Sequence, residues 1–212
     1  MSIDVKQSIK KDWEGAPYYD LVECDDAMNY FWGDGRFVRL FDQLNLERVC
    51  ELACGHGRHA NHVLNAYQVG SVVLVDINQS NIDFCQNRFF GRANVEYLVN
   101  SGSDLNGLSD GSISALFSYD AMVHFEYDDV SSYLKEIRRV LIPGGKALLH
   151  HSNNDQQPGN LYSQNIHWRN FMSVNLFHHM AIRAGLNVLE QEVIDWGDEK
   201  GLDCISLLEK AA

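Results

Sequence analysis

Basic residues are scarce in this chain: 17 lysines and arginines stand against 29 aspartates and glutamates, a formal net charge of −12 over 212 residues. No five-residue window is strongly basic. Nucleic-acid binders neutralise phosphates with clustered cations, and anionic membranes attract the same clusters, so neither partner is expected. Long apolar runs are missing as well. Nothing approaches the roughly 20 residues that span a bilayer, and the polar opening Ser2-Ile3-Asp4-Val5-Lys6-Gln7 lacks a signal-peptide core, so a cytoplasmic location is expected. Cys24, Cys50, Cys54, Cys85 and Cys204 are odd in number, scattered and without C-x-x-C spacing. That pattern suggests neither a disulfide scaffold nor a zinc site. Repeats, low-complexity tracts and interdomain linkers are also lacking. What is present, 45% hydrophobic and 11% aromatic residues, suffices for one sizeable core.

The most informative stretch is Val49-Cys50-Glu51-Leu52-Ala53-Cys54-Gly55-His56-Gly57-Arg58. An apolar strand turns through Gly-x-Gly into a helical pattern, the order a nucleotide-type cofactor needs. Gly55 and Gly57 allow close backbone approach, and the helix adds free N–H groups and the positive end of its dipole. The run Ser71-Val72-Val73-Leu74-Val75-Asp76 then reads as a buried parallel strand ending in a carboxylate. Asp76 lies roughly 20 residues past the turn, where a βαβ unit places an acid beside a ribose.

These segments resemble the class I S-adenosylmethionine-dependent methyltransferases. Glu51-Leu52-Ala53-Cys54-Gly55-His56-Gly57 is similar to their first motif, and Val75-Asp76-Ile77-Asn78 to the acidic end of their second strand. The segment from Asn100 through Asp104 and Leu105 resembles the one that approaches the adenine. Phe117-Ser118-Tyr119-Asp120-Ala121-Met122-Val123-His124 resembles the fourth-strand motif, and the run from Leu134 to Pro143-Gly144-Gly145-Lys146 the helix, turn and fifth strand. The resemblance covers about residues 48 to 150. It implies S-adenosylmethionine as cofactor, held by Glu51, Ala53, Cys54, Gly55, Gly57 and Arg58 at the methionine end, Asp76 at the ribose, and Ile77, Asp104 and Leu105 at the adenine, with Ser118 and Tyr119 as further cofactor-binding residues. A dehydrogenase would place a third small residue at Ala60, so the loop alone admits NAD. Glu51, the Asp104-Leu105 segment and Pro143-Gly144-Gly145 favour the methyltransferase pattern.

Strands near 48–53, 71–75, 95–99, 113–118 and 146–150 alternate with helices near 57–67, 79–89 and 129–141. Alternation of this kind predicts a parallel α/β sheet with right-handed crossovers and helices on both faces. Beyond it a helix near 173–184 and a hairpin of strands 187–195 and 202–208 around Gly197-Asp198 are expected. The resemblance completes this as one Rossmann-like, doubly wound, seven-stranded sheet whose last strand is antiparallel. Within that single domain, residues 1–45 form an aromatic helical lid, 46–151 the cofactor core, 152–172 an acceptor-side loop and 173–212 the closing helix and hairpin. Tyr18, Tyr30 and Trp32 are the lid candidates, and Trp32-Gly33-Asp34-Gly35-Arg36 reads as a turn.

For chemistry, methyl transfer to a hydroxyl needs a proton acceptor, and histidine suits that role near neutral pH. His124, following the fourth strand, and His150 and His151, ending the fifth, are candidate bases, with Asp120 as the alternative. His56, His59 and His62 recur every three residues and lack the i, i+4 pairing of a helical zinc site, so no metal is expected. The reading is a methyltransferase for a small molecule, more on oxygen than nitrogen, with a hydroxylated acceptor such as a sugar. An NAD-dependent oxidoreductase and a non-catalytic donor-binding regulator are the rivals. The acceptor and the oligomeric state are not legible.

Overall fold

The computed structural model describes residues 5–33 and 35–212. Residues 1–4, and Asp34 of the turn expected at 32–36, lie outside the described residues. The strands are β1 (Arg48–Leu52), β2 (Ser71–Asp76), β3 (Val95–Val99), β4 (Ile113–Ser118), β5 (Leu141–Ser152), β6 (Leu186–Trp196) and β7 (Glu199–Lys210), in the sheet order β3-β2-β1-β4-β5-β7-β6. Only β7 runs antiparallel, against both β5 and β6; the other pairings are parallel. Every β4 residue is buried, and so is all of β1 and β2 past the first residue. Continuous apolar runs of this kind suit strands covered on both faces.

Helices α1 (Val5–Trp13), α2 (Tyr18–Leu21), α3 (Asp25–Trp32) and α4 (Gly35–Phe41) precede the sheet, and α5 (Arg58–Ala66), α6 (Gln79–Arg88), α7 (Tyr127–Val140) and α8 (Val174–Ala184) connect its strands. In α7, Asp128 and Asp129 in the first turn and Arg138 and Arg139 in the last complement the dipole, while Val130, Tyr133, Leu134, Ile137 and Val140 form the buried stripe. In α8, the Ser173 hydroxyl accepts from the Leu176 N–H, and Gly185 ends the helix at φ 84°. These two helices cover one face of the sheet, with Phe177 and Leu134 against Leu116 and Leu149. The other face meets Phe31, Phe37, Phe41 and Val63 through Val49, Phe117 and Leu148. The N-terminal aromatics are therefore divided: α3 and α4 help build the core, and α1 and α2 reach over the strand ends.

β5 is longer than the expected 146–150. Pro143-Gly144-Gly145, expected as a turn before the strand, is absorbed into it as an irregularity: Ile113 pairs with Leu141 but Ala115 with Lys146, and Gly144 takes φ 73°. Strand alternation also separates the two neighbouring histidines. His150 faces Tyr119 and Trp196, whereas His151 stacks on Phe177 of α8 at 3.7 Å between ring centroids. His151 donates from Nδ1 to the Ser152 carbonyl (2.9 Å) and accepts the Ser206 hydroxyl at Nε2 (2.8 Å).

Burial pushes His151 down to about 3, with neighbouring His150 adding to the shift. The native imidazole stays neutral where the unfolded one, near 6.5, takes a proton, so stability falls as pH drops from 6.5 toward 3. His151→Phe keeps the stack and removes this proton linkage. Between pH 7.5 and 5.5, wild type should lose about 1.4 kcal/mol more than the variant in urea unfolding. Equal losses would show that His151 is not held neutral.

Candidate active site

The sheet order reverses between β1 and β4, and at the carboxyl ends of these strands, beneath α1 and α2, lies a cavity of about 920 Å³ counting its open mouth. Ligand sites in open α/β sheets form at such reversals. Its floor is the turn after β1. Ala53 and Gly55 take φ 57° and 52°, and Gly57 caps α5 at φ 72°. A Cβ on Gly57 would come within 2.8 Å of the Phe89 ring, so the helix start can approach α6 only with glycine there. The Asp76 carboxylate anchors the turn, accepting from the N–H of Gly55 (2.9 Å) and Asn78 (2.8 Å) and from Asn81 Nδ2 (3.1 Å). Burial raises its pKa against the pull of those donors.

Of the expected cofactor residues, Ala53, Cys54, Gly55, Arg58, Asp76, Ile77 and Tyr119 line this one cavity. Five others do not. Gly57 shapes the floor from behind. Glu51 lies under the loop, where one oxygen accepts the Ala60 N–H and burial pushes the carboxyl up to about 8; its Oε2 has no partner among the described residues. Asp104 folds back on Ser101 and the Asn106 N–H, and Leu105 is fully buried in the core, so Asn100 and Gly102 of the same segment face the cavity instead. Ser118 is fully buried in β4.

The aromatics over the cavity differ from those expected in a lid. Tyr18 lines the cavity, but Trp32 is a core residue packed edge-on against Phe37 and Phe41, and Tyr30 packs on Trp196 outside it. Trp13 and Tyr19, neither of them singled out, take their places over the site. Trp13 follows the Lys6, Ile9 spacing of one helix face, a signal the sequence did contain. Contacts that hold α1 and α2 over the cavity include Lys6 paired with Asp129 (2.8 Å), Asn78 Nδ2 donating to the Lys10 carbonyl (3.1 Å), and the Tyr18 hydroxyl donating to Asp120 Oδ2.

Among the candidate bases, His124 and Asp120 line the cavity; His150 and His151 do not. Asp120 sits at φ 56°, its carboxylate held by Tyr18 and by Arg58 Nη2 at 2.8 Å. Arg58 is thus committed to a buried acid of the site, not to a surface one. His150 serves Asp120 from behind, accepting its backbone N–H at Nδ1 (3.1 Å) while Nε2 meets the buried Asp203 (3.0 Å). His124 donates from Nδ1 to the Trp168 carbonyl at 2.7 Å. Two successive left-handed residues, His167 at φ 47° and Trp168 at φ 56°, aim that carbonyl, and Asn170 Nδ2 clasps the His124 carbonyl (3.2 Å). Non-glycine residues in that region store strain and persist where the surroundings impose them. Burial, reinforced by Arg169, lowers the His124 pKa to about 4, so the ring is neutral at pH 7 with its lone pair on Nε2.

Among the described residues no three His, Cys, Asp or Glu side chains converge to hold a metal, and no helix is long and apolar enough to cross a membrane.

Comparison with known proteins agrees with this geometry. Residues 49–145 match the family profile described as a methyltransferase domain. The chain is 30% identical over 99 residues to a fatty-acid O-methyltransferase of Mycolicibacterium smegmatis, covering 47% of this chain and 35% of that protein. It is 31% identical over 102 residues to a probable phthiotriol/phenolphthiotriol dimycocerosates methyltransferase of Mycobacterium ulcerans, covering 48% and 38%. The matched segments thus span little more than a third of these relatives' lengths. In fold, the chain superposes with TM-score 0.72 at 14% identity, over 99% of both chains, on geranyl diphosphate C-methyltransferase of Streptomyces coelicolor, solved with Mg2+, geranyl diphosphate and S-adenosyl-L-homocysteine. The glycine turn, the acidic end of β2 and the single antiparallel strand are all in place, and residues 49–145 carry the methyltransferase-domain profile, which supports a class I S-adenosylmethionine-dependent methyltransferase.

Proposed function

We propose that this protein transfers a methyl group from S-adenosylmethionine to a hydroxyl oxygen of a small, largely apolar molecule. The observation that carries the reading is His124: a neutral imidazole, its tautomer set by the Trp168 carbonyl, lining the same lidded cavity as the glycine turn and Asp76. The residues fit the cofactor. The turn approaches with bare backbone at Gly55, and the buried Oδ1 of Asn78, without a partner among the described residues, is an acceptor for a ribose hydroxyl beside Asp76. In this reading Ala53, Cys54, Gly55 and Arg58 hold the methionine end, Asp76 and Asn78 the ribose, and Ile77 and Asn100 the adenine.

When bound, the cofactor supplies an electrophilic methyl group on a sulfonium and a neutral thioether as leaving group. The chain's own work is to position, to exclude water and to take a proton. Trp13, Tyr18 and Tyr19 close the site from above. The acceptor hydroxyl gives its proton to His124 Nε2 as its oxygen forms the new bond to carbon, and the imidazolium then releases that proton to solvent. His150 and His151 have no part in the transfer itself, because neither lines the cavity. Oxygen acceptors with an apolar body are favoured over sugars: the walls are rich in aromatics, and the two similar relatives are named for a fatty acid and a phthiotriol lipid.

Calorimetric titration with S-adenosylhomocysteine should show one saturable site, with NAD giving none. Asp76→Ala should weaken the nucleoside by about 1.5–3 kcal/mol, some 10- to 150-fold, because it removes a buried carboxylate and orphans three donors. NAD binding in place of the nucleoside would reverse the reading, and donor binding without turnover of any acceptor would point to the non-catalytic alternative.

A further inference from the structure

A second cavity, of about 580 Å³ counting its open mouth, lies between α3 and the β6–β7 turn. Its walls are mostly aromatic and aliphatic, from Tyr18, Val22, Ala27, Phe31 and Trp196, with Tyr30, His167 and the turn at Gly197 completing the lining. The ring of Tyr18 is the partition: it lines both this groove and the cofactor cavity. Polar chemistry waits directly behind the apolar walls. The Arg58 guanidinium lies 5.4 Å from the Tyr18 ring centre and 4.5 Å from that of Phe31, and Asp120 holds both Arg58 and the Tyr18 hydroxyl.

We infer that this groove holds the body of the acceptor, an aliphatic chain ending in a hydroxyl, whose polar end passes Tyr18 into the cofactor cavity. The inference rests on the methyltransferase reading and names the acceptor class for it. An apolar wall stabilises an aliphatic chain in proportion to the area removed from water, and it offers a polyhydroxylated molecule few partners, Tyr30 and His167 being the polar side chains besides Tyr18. At the partition, a hydroxyl can donate to Asp120 while accepting from Arg58. A carboxylate there would face the Asp120 charge. Beyond Tyr18, Asp120, Ala121 and His124 lie within five residues on one rim of the cavity, so a hydroxyl entering at Asp120 arrives on the side that carries the imidazole. The Tyr18 side chain must swing for the chain to thread, and α2, at four residues with no buried side chain, is the least anchored helix of the lid.

The test titrates the full chain, loaded with S-adenosylhomocysteine, with straight-chain alcohols from 1-butanol to 1-decanol. Affinity should rise about threefold to fourfold per methylene until the groove is full. Ala27→Trp fills the groove from a partly exposed helix position; it should weaken 1-decanol at least tenfold and leave nucleoside affinity unchanged, which also reports that the variant is folded. Ala27→Leu should fall between the two. Equal 1-decanol binding by wild type and Ala27→Trp, or no dependence on chain length in wild type, overturns the inference while donor binding stands. Failure of the methyltransferase reading would look different: alcohols bind and Ala27→Trp blocks them, yet no methyl group is transferred to any of them.

Discussion

His124→Ala lowers turnover by about 100- to 10,000-fold, the span that general-base catalysis contributes, while affinity for S-adenosylhomocysteine is unchanged. The asymmetry follows from placement: the imidazole lines the cavity on the β4 side, away from the glycine turn and Asp76 that hold the nucleoside in the proposed reading. The pH profile is a sharper reporter. A general base works in its unprotonated form, and burial with Arg169 nearby brings His124 to about 4. The acid limb of kcat should therefore fall near pH 4, below the ordinary histidine value, where folding stability permits the measurement. An acid limb near 6.5 would contradict a buried, neutral His124, and full turnover in His124→Ala would remove it from the chemistry altogether.

Asp203→Ala destabilises the fold by about 3–5 kcal/mol, the cost of stripping one partner from a buried ion pair. Asp203 and Arg169 are 0% and 2% exposed at the side chain. Arg169 donates to both carboxylate oxygens, and His150 reaches the same group. Burial alone would raise the Asp203 pKa, but His150 and Arg169 outweigh it and bring it to about 2. Removing the carboxylate leaves a buried guanidinium against the Trp196 face and loosens the histidine that grips the Asp120 N–H. Urea unfolding compares this variant with Asp195→Ala, which breaks a solvent-exposed pair with Lys200 and should cost far less. Similar losses in the two variants would refute the buried network.

The two sites differ in how far the sequence reveals them. Asp76 was legible because a local rule, strand then acid at a set distance from a glycine turn, leaves it one place to go. Arg169 and Asp203 were not: they come from a loop and a hairpin strand 34 residues apart, and no local pattern pairs them. His124, His150 and His151 looked equivalent as strand-end histidines. What separates them is the direction of each side chain. His124 follows β4 in a turn on the cavity rim, whereas alternation along β5 sends His150 and His151 to opposite faces of a sheet covered on both sides.

The lid follows the same logic. An aromatic, helical N-terminus was evident from composition and spacing, but Trp32 and Tyr30 went to the core and the hairpin while Trp13 and Tyr19 took the cavity. The sequence alone determined the strand and helix order, the glycine turn and the acid at the end of β2, since these depend on periodicity and on backbone angles that few residues permit. Tertiary structure alone decided which aromatics line the cavity, which of the three histidines joins them there, and where a second groove meets the first. Those outcomes depend on side-chain direction and on packing between segments far apart in the chain, which no local pattern encodes.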